Sequence, residues 1–536
     1  MQSDERTLFN ELAPSKRPRR KKAKSQPVFK NYNQDQIMLL PPQLDELIPD
    51  NHLVRVVNKT IDGLNLDPLI ATYEGGGTSS YHPKMLLKGI IYAYVSKIYS
   101  SRKIAKAFRE DINFYWLSAM SFPDFRTINN FRSGRLKKVI DQVFGETVLF
   151  LVNYGYIDLQ EYFVDGTKIR ADNNKHKIIW AKNTKRYKEL VQQKIKERLR
   201  EIERINNQEN ERYGDRDLEE LGEDKPLNSK ALKEHIGRLN EILKKKQAPK
   251  QSYKALKEIQ KQHLPKLEKY EQQEQMLTGR NSCGRTDPQA TAFRTKDGQL
   301  LPAYNVIIGT QRQFIINYSF NQRKGSESDG FIPHLKRLKK IIKKYPKLVM
   351  GDSAFGSEEN YSYLKQKRIG NYLKYNTFHK EKTKKYRSDP YRKEHFPYNS
   401  DTDTYTCPEG RSLVFKEHKQ ITTNNGYHTS VQIYKCVNCD GCTQALACKQ
   451  GSGPRSIQIN PILDRYRCQA RENLNSERGI TLRKQRSIDV EPPFADIKFN
   501  QNYQRFRLRG ESKVNIEFGL LSIAHNTKKI AQRLNS

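Results

Sequence analysis

Residues 162–168 read YFVDGTK and residues 348–356 read LVMGDSAFG, and these two stretches decide the fold. In each, a short apolar run leads directly to an aspartate, and a run of this kind predicts a buried strand. Asp165 and Asp352 are therefore expected at strand ends. Ligands of open α/β sheets gather at the carboxyl ends of the strands. Both acids are thus predicted to lie at one site.

A third acid, Glu491, lies in the stretch VEPPFADIK at Val490–Lys498, which predicts a helix. The residue before a proline avoids the α conformation, so Pro492 predicts that Glu491 stands at the helix start. Two strand-end carboxylates and one helix carboxylate supply the oxygen ligands that Mg²⁺ prefers. Two such ions about 4 Å apart can stabilise both the attacking and the leaving oxygen in phosphodiester chemistry.

Glu517 is the alternative third acid, because VNIEF at Val514–Phe518 predicts a better-formed helix. We favour Glu491, since Lys498 and Arg486 provide phosphate-binding charge near it. An ordinary surface helix would account for either glutamate as well.

The charge of the chain favours a polyanionic partner. Its 536 residues carry a formal charge of +37, from 97 Lys and Arg against 60 Asp and Glu. Nucleic acid is the first candidate partner for such an excess. The basic segment KRPRRKKAK at Lys16–Lys24 is predicted to stay disordered until it meets phosphate. No apolar stretch approaches the roughly 20 residues that span a bilayer, and no secretory signal is recognised.

The catalytic region is predicted to be α/β. A period of two predicts strands at Tyr304–Ile308 and Phe314–Tyr318, joined by a turn at Gly309–Gln311. An amphipathic helix at Phe331–Lys344 precedes the strand of the second aspartate, and a further strand is predicted at Tyr372–Tyr375. This order of elements predicts a mixed sheet covered by helices.

Helical segments flank and interrupt this region. Apolar residues at helical spacing from Pro83 onward predict a helical N-terminal region, which either reads DNA through a helix-turn-helix or only supports the remainder. Two further helical patterns separated by a Gly- and Pro-containing stretch predict an inserted hairpin.

The predicted boundaries are 1–30 for a basic disordered tail, 31–150 for a helical DNA-binding domain, 183–282 for the helical insertion, 377–479 for a Cys-rich insertion, and 151–182 plus 283–376 plus 480–536 for the catalytic domain.

Five of the seven cysteines cluster in the sequence. One lies in a CPEG stretch, three form a CxxCxxC pattern, and the fifth follows six residues later. In an intracellular chain this pattern favours metal over disulfides. Four thiolates around a structural Zn²⁺ are the favoured interpretation, while an iron–sulfur cluster and free reduced thiols are the alternatives. The clustered residues are Cys407, Cys436, Cys439, Cys442 and Cys448. Cys283 and Cys468 have no evident partner, and His525 is expected to be packed or hydrogen-bonded.

The acidic stretches resemble bacterial insertion-sequence transposases of the DDE type, whose catalytic domain has a ribonuclease-H-like fold. In that family the first acid lies on the first strand, the second follows the fourth strand, and the third lies on a later helix. The third acid is often a Glu with a Lys seven residues on, a spacing that Glu491 and Lys498 share and that places both on one helical face. Ala495 departs from the family, where Gly is frequent. Other similar stretches are Tyr81–Arg132, RTDP at Arg285–Pro288, RLRG at Arg507–Gly510 and HNTKK at His525–Lys529.

The resemblance implies a transposase that binds the terminal inverted repeats of its own element, cuts at the ends and joins the 3′ ends to target DNA. It implies two Mg²⁺ (or Mn²⁺) ions held by Asp165, Asp352 and Glu491. Lys498 and Arg486 would contact phosphate near the scissile bond. The implied partners are double-stranded DNA and further copies of the chain, as a homodimer or higher oligomer, in the bacterial cytoplasm at the nucleoid.

Two other functions stay open from the sequence. A metal-dependent nuclease would use the same acids without a joining step. An inactive descendant would bind DNA without cutting it, although the presence of all three acids argues against that alternative.

Overall fold

The structure is a computed structural model that describes residues 43–73, 80–213, 227–245, 249–294, 298–322, 327–423, 425–449, 451 and 453–535. The predicted basic tail, 1–30, and the predicted separator of the helical hairpin, 214–226, lie outside the described residues. The chain forms two units, Met1–Leu47 and Ile48–Ser536. The first contributes one described 3₁₀ turn at Leu44–Leu47, and all elements below belong to the second.

The helices of the described residues run in chain order as follows: α1 (Leu53–Asp62), α2 (Asp67–Ile70), α3 (Pro83–Val95), α4 (Ser101–Glu110), α5 (Ile112–Ser118), α6 (Phe125–Asn130), α7 (Leu136–Asn153), α8 (Ala181–Tyr213), α9 (Ser229–Lys245), α10 (Lys250–Glu258), α11 (Leu264–Leu277), α12 (Phe331–Ile342), α13 (Glu358–Gln366), α14 (Lys384–Arg387), α15 (Ala445–Cys448), α16 (Pro461–Asn475), α17 (Glu477–Ala495) and α18 (Glu511–Leu534).

The strands of the described residues are β1 (Glu161–Arg170), β2 (Ile178–Trp180), β3 (Ser282–Gly284), β4 (Thr291–Arg294), β5 (Leu300–Gln311), β6 (Phe314–Phe320), β7 (Leu348–Gly351), β8 (Gly370–Leu373), β9 (Tyr398–Asn399), β10 (Thr404–Thr406), β11 (Ser412–Thr422), β12 (His428–Cys436) and β13 (Ser456–Ile459).

A six-stranded mixed sheet carries the two aspartates. β1 pairs antiparallel with β5 on one side and parallel with β7 on the other, and β8 extends the parallel side. β4 and β6 both pair antiparallel with β5. The apolar run Tyr162, Phe163 and Val164 is fully buried in β1, as its pattern predicts. The predicted mixed α/β class is thus confirmed, and the sheet is consistent with a ribonuclease-H-like fold.

The turn between β5 and β6 lies later than predicted. The strand continues to Gln311, and the turn is made by Arg312 and Gln313, whose φ angles are +53° and +69°. Two-residue hairpin turns favour such positive φ angles, although residues with a Cβ adopt them at some cost. Asp489 of α17 offsets that cost, because its carboxylate accepts the N–H of Arg312 at 2.7 Å and that of Gln313 at 2.9 Å. A helix carboxylate therefore fixes the turn, a contact that local sequence cannot reveal.

The C-terminal helix α18 is the central, buried helix of the group that covers the sheet. It packs against α1, α3, α7 and β6, and its residues are buried without interruption from Ile516 to Thr527. A helix buried all round belongs to a core rather than to a surface. Pro83 occupies the first turn of α3, as predicted. Ser100 stands at the cap position of α4, but its side chain accepts no capping hydrogen bond.

Helices α8 to α11 form a helical body with its own apolar core. The predicted stripes of α8 and α9, represented by Ile195 and Leu239, are buried there. α10 and α11 contribute further core residues such as Ile259 and Leu267, so the prediction of a two-helix hairpin is incomplete. The later helices α10 and α11 are rich in polar residues, so their apolar stripe is recognised only from their packing in the structure.

Glu517, the alternative third acid, lies fully buried in α18. Its Oε2 accepts the backbone N–H groups of Arg507 and Leu508, each at 3.0 Å. Burial raises the pKa of this carboxyl, while the Tyr503 hydroxyl, these N–H groups and the charge of Arg132 oppose the rise. The carboxylate therefore ties the preceding loop to the helix.

Replacing Asp489 by alanine should lower the free energy of unfolding by about 2 kcal/mol, because two backbone N–H groups lose their acceptor. Thermal unfolding of the purified protein measures this change. The matched control is Glu110→Ala, which removes only an exposed ion pair with Lys106 and should change stability by less than about 0.5 kcal/mol. Equal losses in the two variants would rule out the anchoring role of Asp489.

Glu517→Gln should change how stability depends on pH. The folded carboxyl has a pKa above its ordinary value of 4.5, so the folded state binds more protons than the unfolded state above about pH 4.5. Its contribution to the free energy of unfolding is therefore lost as pH rises through the folded pKa. The variant lacks this loss, so its stability relative to the wild type should rise over that window. Thermal midpoints measured from pH 4 upward test this, and a difference that stays constant with pH would contradict it.

Candidate active site

Asp165 and Asp352 follow paired residues on two neighbouring strands. The parallel register of β1 and β7 pairs Val164 with Gly351, and each aspartate comes directly after its paired residue. Asp352 follows the last residue of β7, as predicted. Asp165 does not end its strand, because β1 continues to Arg170 against the longer β5. The strand-end prediction is therefore wrong for Asp165, where only the pairing with β7 stops.

Glu491 lies near the end of α17, which packs across β1, β5 and β7. The helix begins at Glu477, so the prediction that Glu491 stands at a helix start is wrong. Pro492 and Pro493 lie inside the helix, against their usual preference. Packing overrides that preference, because Val490 and Pro493 are buried in contact with the core. Each proline removes one helical hydrogen bond, because residues near the end of a helix would still donate their N–H groups.

The three acids interact electrostatically. Burial is the main cause that raises the pKa of Asp165, and the negative charges of Asp352 and Glu491 raise it further. The Arg486 guanidinium and the N–H of Gly166 oppose this rise. The Asp165 side chain is 23% exposed and that of Asp352 is 45% exposed, while Glu491 is exposed. A divalent cation among these carboxylates would relieve their repulsion.

Two predicted phosphate-binding cations flank the same strand. Arg486 Nη2 lies 3.1 Å from Asp165 Oδ2, and its side chain is only 11% exposed. Lys498 belongs to a π-helical turn, Asp496–Asn500, that follows α17. Its ammonium donates a hydrogen bond to the hydroxyl of Thr167, two residues beyond Asp165 on β1. Single π-turns of this kind are frequent at functional sites.

Two further charged residues near the aspartates escaped the sequence analysis. Glu327 lies against Gly166, where a Cβ would stand 3.2 Å from its Oε2. Burial raises the pKa of Glu327, the charge of Lys168 opposes this, and both aspartates add to the rise. Lys374 Nζ lies 4.0 Å from Asp352 Oδ1, and burial lowers the pKa of this lysine.

Only one of these two residues left a signal in the sequence. Lys374 directly follows β8, so the strand-end argument applied to the aspartates would have found it. Glu327 begins a 3₁₀ turn, Glu327–Gly330, in a polar stretch without apolar periodicity. Nothing local marks it as a neighbour of the acids.

The donor atoms suit a hard divalent cation, because carboxylate oxygens are the ligands of Mg²⁺ and Mn²⁺. Within the described part of the chain, no three Cys, His or acidic side chains already stand in an arrangement that encloses a metal ion. Glu517 is bound to backbone N–H groups rather than joined to this group. His525 is hydrogen-bonded, as predicted, with Nδ1 at 3.1 Å from Asp496 Oδ2 and Nε2 at 2.9 Å from the Gln313 carbonyl.

The clustered cysteines lie together beside the second sheet, which β9 to β13 form in the order β13–β12–β11–β10–β9. All five line one small cavity, and in the described residues none of the seven cysteines forms a disulfide. Cys283 is buried in β3, and Cys468 is exposed on α16. The cysteines that line the cavity are Cys407, Cys436, Cys439, Cys442 and Cys448.

Comparison with protein families gives two matches. A family described as "Transposase DDE domain" matches residues 406–531, a range that contains Glu491 and the five clustered cysteines. A family described as "Transposase domain (DUF772)" matches residues 42–134, which include α1 to α6. No curated protein and no solved structure gives a significant match. In the described residues, no helix is both long and apolar enough to cross a membrane.

Both matching families are described as transposase domains, and the match that contains Glu491 is described as a DDE domain. The mixed sheet agrees with that assignment. Over these two ranges the chain is similar to transposases, and the matches support an insertion-sequence transposase of the DDE type.

Proposed function

We propose that the protein binds the terminal inverted repeats of its own element, cuts at the element ends and joins the freed 3′ ends to target DNA. Asp165, Asp352 and Glu491 are the catalytic acids in this proposal. The observation that carries it is the register of β1 and β7, which sets the two aspartates after paired residues. Glu491 then lies within electrostatic reach of Asp165, on a helix packed across both strands.

The same three carboxylates would hold two Mg²⁺ (or Mn²⁺) ions, which, when bound, stabilise the attacking and leaving oxygens of an in-line displacement at phosphorus. Arg486 holds Asp165 by an ion pair and limits the repulsion among the acids. We assign Arg486 and Lys498 to the phosphate beside the scissile bond, Arg486 as a planar fork and Lys498 as a point charge. The hydrogen bond from Lys498 to Thr167 keeps its charge along β1, near Asp165.

DNA binding and assembly complete the proposal. The formal charge of +37 supports contact with a polyanion over a wide surface. We assign 31–150 to reading the element ends, 1–30 to phosphate contact, 183–282 to a helical insertion, 377–479 to a Cys-rich insertion, and 151–182 with 283–376 and 480–536 to catalysis. Two ends must meet before joining, so we expect a homodimer or higher oligomer on double-stranded DNA, at the bacterial nucleoid.

Asp165→Asn, Asp352→Asn and Glu491→Gln should each reduce cleavage of DNA carrying the element ends by about 10³-fold or more. The loss of a metal-binding carboxylate removes several kcal/mol of transition-state stabilisation. Each variant should still bind the same DNA, which is measured by mobility shift in the presence of Ca²⁺. Cleavage is measured by mapping 3′ ends after incubation with Mg²⁺.

Glu477→Gln is the matched control, because Glu477 is an exposed glutamate at the start of the same helix. This variant should cut as the wild type does. Mg²⁺-dependent nicking that persists in an aspartate variant would refute the assignment of that acid. A wild-type protein that cuts but fails to join a pre-cut 3′ end to target DNA would instead be a nuclease.

A further inference from the structure

The Cys-bearing sheet has a very small apolar core. In its described part, nine of the eleven residues of β11 are exposed. The core cluster consists of five buried side chains, Phe396, Leu413, Tyr434, Cys436 and Ile457. Small folds with so little buried apolar surface generally need a disulfide or a metal to hold them together. The described cysteines form no disulfide, so the sheet needs another cross-link.

Five thiols from three separate segments surround one cavity of about 20 Å³. Cys407 lies in the turn from β10 to β11, and Cys436 is the last residue of β12. Cys439 and Cys442 lie in the loop that follows, and Cys448 ends α15. The cavity has about the volume needed for one water-sized particle. A single ion in this cavity would connect the turn after β10, the loop after β12 and helix α15 before β13.

Cys436 differs from the other four cysteines. It is 2% exposed, and its Sγ lies 3.3 Å from the Asn438 carbonyl oxygen, to which the thiol donates. Its side chain belongs to the apolar core of the sheet, whereas the other four clustered cysteines are only partly buried. This placement fits a core side chain that packs behind the metal ligands.

The remaining four thiols form a group. The Cys448 thiol interacts electrostatically with the thiols of Cys407, Cys439 and Cys442. The Cys439 sulfur already accepts the backbone N–H of Arg455 at 3.3 Å. Hydrogen bonds of this kind stabilise a thiolate that binds a metal.

We propose that Cys407, Cys439, Cys442 and Cys448 bind one structural Zn²⁺ and that Cys436 remains a buried thiol. Four thiolates match the ligand set of closed structural zinc sites. Binding releases the four thiol protons to solvent. The described sulfurs do not enclose an ion as they stand, so the proposal requires the four side chains to rotate toward the cavity that they line.

The hairpin that ends at Cys436 also docks on α13, the helix that follows Asp352. The tip of the β11–β12 hairpin docks on α13 through Glu358, which is 7% exposed. Its carboxylate accepts hydrogen bonds from the Tyr427 hydroxyl at 2.9 Å, the Thr429 hydroxyl at 2.7 Å and the Asn460 amide at 2.6 Å. α13 begins six residues after Asp352. Zinc would therefore hold the hairpin that packs on this helix.

Metal content of the purified full-length protein tests the site directly. Mass spectrometry of metals should find about one zinc per chain. Cys407→Ser, Cys439→Ser, Cys442→Ser and Cys448→Ser should each lose it, while Cys436→Ser should keep it. Cys468→Ser, which changes an exposed cysteine outside the cavity, is the matched control and should also keep it.

A second measurement on the wild type avoids variants that fail to fold. Titration with an organomercurial thiol reagent, followed with a zinc-binding dye, should release one zinc only after the exposed Cys468 has reacted, as the four ligand thiols react. Zinc lost from Cys436→Ser but retained by one of the four other variants would overturn the ligand assignment. Protein without metal, or with iron and sulfide in place of zinc, would overturn the proposal as a whole.

Hydrogen exchange separates this proposal from the proposed function. Removal of zinc should speed amide exchange in β11 and β12 and leave β1 unchanged, whether or not the protein cuts DNA. Equal exchange rates in β11 and β12 with and without zinc would contradict the proposal that zinc stabilises the Cys-bearing sheet. Failure of DNA cleavage with zinc bound would count against the catalytic assignment alone.

Discussion

The parallel hydrogen bonding between β1 and β7 determines where the acidic site lies. Since Val164 faces Gly351 in the register, two acids almost 190 residues apart in the chain become neighbours. A slip of one residue would turn either side chain to the opposite face of the sheet. Asp489 helps to position the third acid, Glu491. Its hydrogen bonds to the β5–β6 turn hold α17 against the sheet. Glu491 lies two residues further along the same helix.

Opposite charges are mixed closely at the site. Burial is the main cause that raises the pKa values of Asp165 and Glu327, and the charges of the neighbouring acids, Asp352 among them, add to the rise. Arg486 and Lys374 compensate that repulsion from within the protein. Buried charge of one sign is costly unless it is paired. Such a balance lowers the electrostatic cost of placing several carboxylates near one another.

Separate apolar cores explain how one chain carries such different parts. The six-stranded sheet and the helices around α18 share the largest core, α8 to α11 have their own, and the Cys-bearing sheet has a third that is very small. A segment with its own core can enter a surface connection without disturbing the sheet. The small third core needs additional support, which its contacts through Glu358 and the proposed zinc ion would supply.

The sequence by itself determined the strands of Asp165 and Asp352, the mixed α/β class, and the clustering of the cysteines, because apolar periodicity and residue spacing are local properties. Tertiary structure decided the rest. Packing of Val490 and Pro493 keeps Glu491 inside a helix that two prolines would be expected to break. Burial against backbone N–H groups separates Glu517 from the acids. Glu327 reaches Gly166 only through the fold. Contacts between distant segments depend on which surfaces meet, and no local pattern encodes that.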